Sequence, residues 1–167
     1  MEKLFDILHA GRTNFVKLID SLNIDELNEI PEGFSNNIAW NFGHIIVSQQ
    51  TLCYLRAGIT PVMDMASINK YQKGTRPESF ISEDEIAVLK TYIFSLLDVL
   101  KEDIKNDKFK GYATFTTSFG VELSNINDAV PYVATHDTLH LGYSMAIARH
   151  LSSKNQFSNF QHIKFSN

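Results

Sequence analysis

Cysteine is nearly missing from this sequence. Cys53 stands alone, so no intrachain disulfide can form, and the usage fits a reducing compartment. Positive charge is also in short supply: 15 Lys and Arg face 19 Asp and Glu, for a net charge of −4. Phosphate backbones are bound by cationic faces, so this balance speaks against nucleic acid as a partner. No apolar run reaches the roughly eighteen residues that a membrane-spanning helix needs. Glu2, Lys3 and Asp6 interrupt the first residues, which argues against a secretory signal. Repeats, low-complexity tracts and interdomain linkers are absent as well. The expectation is one cytoplasmic domain, since 167 residues suffice for a single sizeable core.

Helical periodicity dominates what is there. The first amphipathic segment runs from about Glu2 to Leu22, with Leu4, Leu8, Gly11, Phe15, Leu18 and Ile19 on one stripe. Asp25 to Asn28 predicts one short turn. A second helix spans about Asn37 to Ala57 and stops at Gly58, a usual terminator. A third opens at Ser82-Glu83-Asp84-Glu85, a capping box in which Ser82 and Glu85 satisfy each other's amides. Tyr112 to Glu122 is rich in strand formers and predicts a small hairpin or extended crossing. The last long helix begins near Ser124 to Asn127 and runs to about Leu151, accommodating Pro131 most easily if it starts near Asn127. Four such helices predict an all-α, four-helix bundle over residues 1–152. Residues 153–167 are read as a polar tail of the same domain, with Asn and Ser breaking regular structure. The connection from Gly58 to Ile81 is unusually long, and such loops are commonly functional. Its Lys70, Lys73 and Arg76 are candidates to meet a carboxylate.

His136 and His140 are four residues apart on the last helix, so their imidazoles share one face. The neighbouring row of Val130, Val133, Ser144 and Ile147 turns that face inward. Two stacked imidazoles in a core need partners, and one metal ion serves both at about 2.0–2.1 Å. His44 on the second helix is the candidate third ligand. Three protein ligands with an open position is the arrangement of catalytic metals. His9 lacks a paired ligand, His150 sits where a cation suits the end of a helix, and His162 in the tail is a weaker fourth candidate. Asp137, Asn41, Ser48, Gln49, Tyr143 and Ser144 are candidates to orient the ligands. Cys53 lies about 13 Å along the helix from His44 at about 1.5 Å per residue, too far for the same ion. It reads as a small core residue.

Trp40-Asn41-Phe42-Gly43-His44 and His136-Asp137-Thr138-Leu139-His140-Leu141-Gly142 resemble the W-x-x-x-H and H-x-x-x-H-x-G elements of the DinB/YfiT-like superfamily. The resemblance covers roughly residues 1–152. It implies an antiparallel four-helix bundle whose His44, His136 and His140 bind a divalent metal, often zinc or nickel. It also implies a homodimer. Tyr143 stands where many relatives carry Gln, so any role of that amide is not transferred. Characterised relatives include transferases and isomerases that use low-molecular-weight thiols. The implied chemistry is therefore thiol activation for S-transfer to a small-molecule substrate. The alternatives are hydrolysis by metal-activated water and a non-catalytic, metal-binding or stress-associated bundle. No catalytic acid or base is identifiable from the sequence.

Overall fold

Leu8, Phe15 and Ile19 recur on one face of α1 (Glu2–Asp20) and are buried, with Arg12 among them. The computed structural model describes the backbone of residues 1–161 and the side chains of residues 1–152. The short turn after α1 is α2 (Ile24–Asn28), closed by a capping box between Asn23 and Glu26. α3 (Ile38–Gln49) starts where Asn37 accepts a 2.7 Å hydrogen bond from the Trp40 amide. Every α3 residue is buried. The predicted second helix continues, but not as regular α-helix. Gln50–Tyr54 form a π-turn and Leu55–Ala57 a 3₁₀ turn, ended by Gly58 at φ 68°. Such insertions widen one turn and shift the following side chains around the axis.

The long connection after Gly58 is not all loop. It contains α4 (Met65–Tyr71), which Asp64 caps by accepting from the Ser67 amide. Tyr71 is 1% exposed, packed into the core through α3. The close approach needs Gly43: a Cβ there falls 2.5 Å from the Tyr71 ring. Gly43→Ala is expected to push α4 off α3 and to cost about 1–3 kcal/mol, as overpacking does, read as a lower thermal midpoint.

α5 (Glu83–Lys105) begins at Ser82, whose hydroxyl accepts from the Glu85 amide. Only that half of the expected capping box forms. The Glu85 carboxylate instead accepts from Lys70 Nζ at 2.7 Å and from the Tyr71 hydroxyl at 2.6 Å. A charge-assisted bond to another element outcompetes the weak local one. It pins α4 to the head of α5. The predicted hairpin is β1 (Phe115–Thr116) against β2 (Glu122–Leu123), antiparallel, with Phe115 opposite Leu123.

α6 (Ile126–Gln161) starts where the Asn125 side chain accepts from the Asn127 and Asp128 amides. It continues well past Leu151, the expected end. Ser152 returns its hydroxyl to the Ala148 carbonyl and leaves the helix intact. His150 is therefore not at a helix terminus, and the dipole explanation for it fails. Its ring lies 6.0 Å from that of Phe34.

α1, α3, α5 and α6 form the bundle. α1 and α6 pack together, as do α3 and α5, and each pair packs on the other. Two core clusters stack along the axis. α5, and α3 with the π and 3₁₀ turns that continue it, pass from the cluster of Phe15, Ile45 and Leu89 to the cluster of Leu8, Leu52 and Leu100. α1 and α6 pass the opposite way. Two helices therefore oppose two, and the long connection holding α4 lets α5 run parallel to α3. Among the described residues, no helix is long and apolar enough to cross a membrane.

Candidate metal centre

His44 of α3 and His136 and His140 of α6 meet at the seam between the two helices. One ring nitrogen from each lies within 4.8 Å of the others. Ring centroids are separated by 4.6 Å for His44 and His140, 5.1 Å for His44 and His136, and 4.4 Å for the α6 pair. Trp40, one turn before His44, stacks on it at 4.6 Å and 12°. The indole thus covers one flank of the cluster. Its own Nε1–H donates to Thr75.

Hydrogen bonds set the tautomers. His44 Nδ1 lies 2.6 Å from the Tyr71 carbonyl, and His140 Nδ1 lies 2.7 Å from Asn41 Oδ1. Carbonyl oxygens only accept, so both Nδ1 atoms carry the proton. That leaves Nε2 of each neutral ring as a lone-pair donor. Asn41 is itself fixed, its amide donating to the Asn37 carbonyl at 2.7 Å. His136 differs: its Nδ1 is buried with no hydrogen-bond partner. An orphaned imidazole nitrogen beside two others is costly unless something occupies the gap.

The rings are neutral near pH 7. Burial depresses all three, taking His136 to about 3 and His140 to about 4, with mutual repulsion among the rings and from Lys73 adding to His136. Neutral nitrogen is the form that ligates. The donor set therefore fits a divalent ion. Three uncharged ligands would leave its full charge available to a fourth.

Of the other candidates, Asn41 takes the orienting role and Asp137 does not. The Asp137 carboxylate points away from both ligands and accepts from Arg12 Nε at 2.8 Å. Gln49 belongs to that same network, accepting from Arg12 and donating to the Leu96 carbonyl. The Ser144 hydroxyl is buried without a partner, and Tyr143 packs edge-on against Phe34. Ser48 sits 3.4 Å from His44 Nε2. Lys70 is held by Glu85. His9 packs against Phe94 with its ring tilted by 34°, and is not part of the cluster. Cys53 is fully buried, and desolvation raises its thiol to about 12, which makes it a core residue and not a nucleophile. His162 lies outside the described residues.

Groups that orient a ligating histidine usually contribute about 10–100-fold in metal affinity. Asn41→Leu is expected to cost that much in a competition titration against a chelator, while Gln49→Leu, which touches no ligand, should leave affinity nearly unchanged.

A cavity of about 200 Å³ opens beside the cluster, lined by His44, His136, Ser48, Tyr132, Arg56 and Lys73, among others. A wider groove of about 1470 Å³ runs past Trp40, Thr75 and Arg76. It reaches none of the histidines, so the smaller cavity is the one that belongs to the site. The Tyr71 carbonyl and Arg56 escaped sequence reasoning. Gly43 hinted at the first, since a glycine inside a buried helix marks a close approach.

No curated protein matches the chain. A family model described as the DinB superfamily matches residues 7–144, a stretch that runs from α1 into α6 and takes in His44, His136 and His140. With most of its length matched and the histidines of both signature elements gathered at one point, the chain belongs to the DinB superfamily.

Proposed function

We propose that this protein is a metal-dependent enzyme that activates a low-molecular-weight thiol for transfer to an electrophilic small molecule. The observation that carries this reading is the triad of neutral imidazoles, one with an orphaned nitrogen, beside a cavity. His44, His136 and His140 would hold the ion, with zinc and nickel as the ions proposed. When bound, a divalent ion supplies Lewis acidity and lowers the pKa of a coordinated thiol or water.

The chain's own contribution is positional. Tyr71 and Asn41 fix two rings, and Trp40 shields one flank. Among the described residues no carboxylate lines the cavity, so no side-chain base is at hand for water. A thiol, with an ordinary pKa of about 8.5, loses its proton on coordination without such a base, and metal-bound water, at about 7, does the same. A homodimer is part of the same proposal, and its check is the mass in solution by light scattering.

The test uses cobalt as a coloured probe. Cobalt-loaded protein titrated with 2-mercaptoethanol should develop a sulfur-to-metal charge-transfer band that saturates. Metal-loaded protein that shows no spectral response to any thiol would return the chain to the non-catalytic, metal-binding reading.

A further inference from the structure

The cavity beside the histidines is built for negative charge. Arg56, in the 3₁₀ turn that ends the α3 segment, lays its guanidinium on the Phe115 ring with Cζ 3.9 Å from the centroid. Lys73 enters from the residues just after α4. Neither forms an ion pair among the described residues, as is also true of Lys17, Arg76 and Lys101, but Arg56 and Lys73 line the same cavity. The chain as a whole carries more acids than bases, yet no Asp or Glu lines this cavity. The charge there is thus segregated against the composition of the protein. A divalent ion on the three imidazoles adds to the same sign. A concave site lined by one sign of charge concentrates ligands of the other.

We propose that Arg56 and Lys73 form the receiving arm for a carboxylate of the small molecule that reacts at this centre; the inference rests on the metal reading above. The chemistry of each group fits. A guanidinium held over an aromatic ring is restrained, and its planar N–H fork suits two-point contact with a carboxylate. Lys73 supplies a mobile point charge. The Ser118 and Tyr132 hydroxyls, 3.4 Å apart on the same wall, add neutral donors. The cavity volume of about 200 Å³ is below the roughly 300 Å³ of ordinary ligand pockets, so the enclosed part of the ligand is small.

The test is calorimetric titration of zinc-loaded, full-length protein at low salt with succinate, and with its neutral diamide. Succinate should bind saturably, and Arg56→Gln/Lys73→Gln should weaken it by about tenfold or more, the scale of charged hydrogen bonds. Both side chains are exposed, so the double variant should fold and keep its zinc. It should also keep the 2-mercaptoethanol response of the cobalt form. Succinate binding as tight in the double variant as in the parent, or no tighter than the diamide, overturns the proposal. A parent protein that ignores thiols but binds succinate through Arg56 and Lys73 defeats only the thiol reading.

Discussion

Replacing His140 by alanine should leave purified protein with far less than one divalent ion per chain. The loss should exceed the about 10–100-fold that changing an orienting group produces, because a donor atom itself is gone. The fold should survive, since His140 is only partly buried and projects into the cluster and not into either apolar core. Asn41 Oδ1 then loses its 2.7 Å donor, but its amide still holds the Asn37 carbonyl. Elemental analysis beside a circular dichroism spectrum separates the two effects. A folded His140→Ala protein with full metal content would remove the histidines from the site.

Arg12→Met is expected to be the most damaging single change to stability. Arg12 is fully buried at the boundary between the two core clusters. It reaches three of the bundle helices from α1. Its Nε donates to Asp137 on α6, and one terminal nitrogen donates to Gln49 on α3 and to the Ile93 carbonyl on α5, at 2.8 and 2.7 Å. Burial pushes the Asp137 carboxyl up, and the guanidinium opposes that. Without Arg12 the carboxylate is buried and unpaired, which costs about 3–5 kcal/mol. For a chain of this size that corresponds to a fall in melting temperature of about 6–20 °C. The double change Arg12→Met/Asp137→Leu should recover most of it, because an apolar pair leaves no stranded charge. Recovery separates a pairing effect from simple loss of packing. A change of under about 2 °C for Arg12→Met would show that the polar layer does not hold the helices.

Asp137 also brings this layer next to the candidate metal centre. It lies between His136 and His140 on α6 and faces the bundle axis while they face α3. Its ion pair with Arg12 ties α6 to α1 one residue beyond His136.

What the sequence made legible follows from the range of each signal. Helix positions depend on periodicity and caps, which are local, and α1, α3, α5 and α6 begin within a few residues of their expected starts. The histidine pair is local too, and its inward direction could be read from Val133 and Ile147 on the same helix. The third histidine, on another helix, is a candidate from the apolar face it shares with Trp40 and Val47, and the resemblance around Trp40 and Gly43 then joins it to the pair. What stayed hidden depends on partners distant in sequence. The local pattern places Glu85 in its own helix cap, but the partners of its carboxylate, Lys70 and Tyr71, lie on α4. Its position beside two histidines makes Asp137 a candidate to orient them, but Arg12, 125 residues away, claims it. A signal was present there: Arg12 follows Leu8 by four residues and precedes Phe15 by three, a lone charge on an apolar row. One buried charge on such a row calls for an opposite one elsewhere, and Asp137 occupies the corresponding row of α6.

The central claim is that three imidazoles ligate one ion and leave a position open. X-ray absorption spectroscopy of the metal-loaded protein tests it most directly. The account predicts three imidazole nitrogens at about 2.0–2.1 Å for zinc, with one further light-atom ligand replaced by sulfur at about 2.3 Å when a thiol is added. A shell of four or more protein ligands that no thiol alters, or one with fewer than three imidazoles, would contradict it.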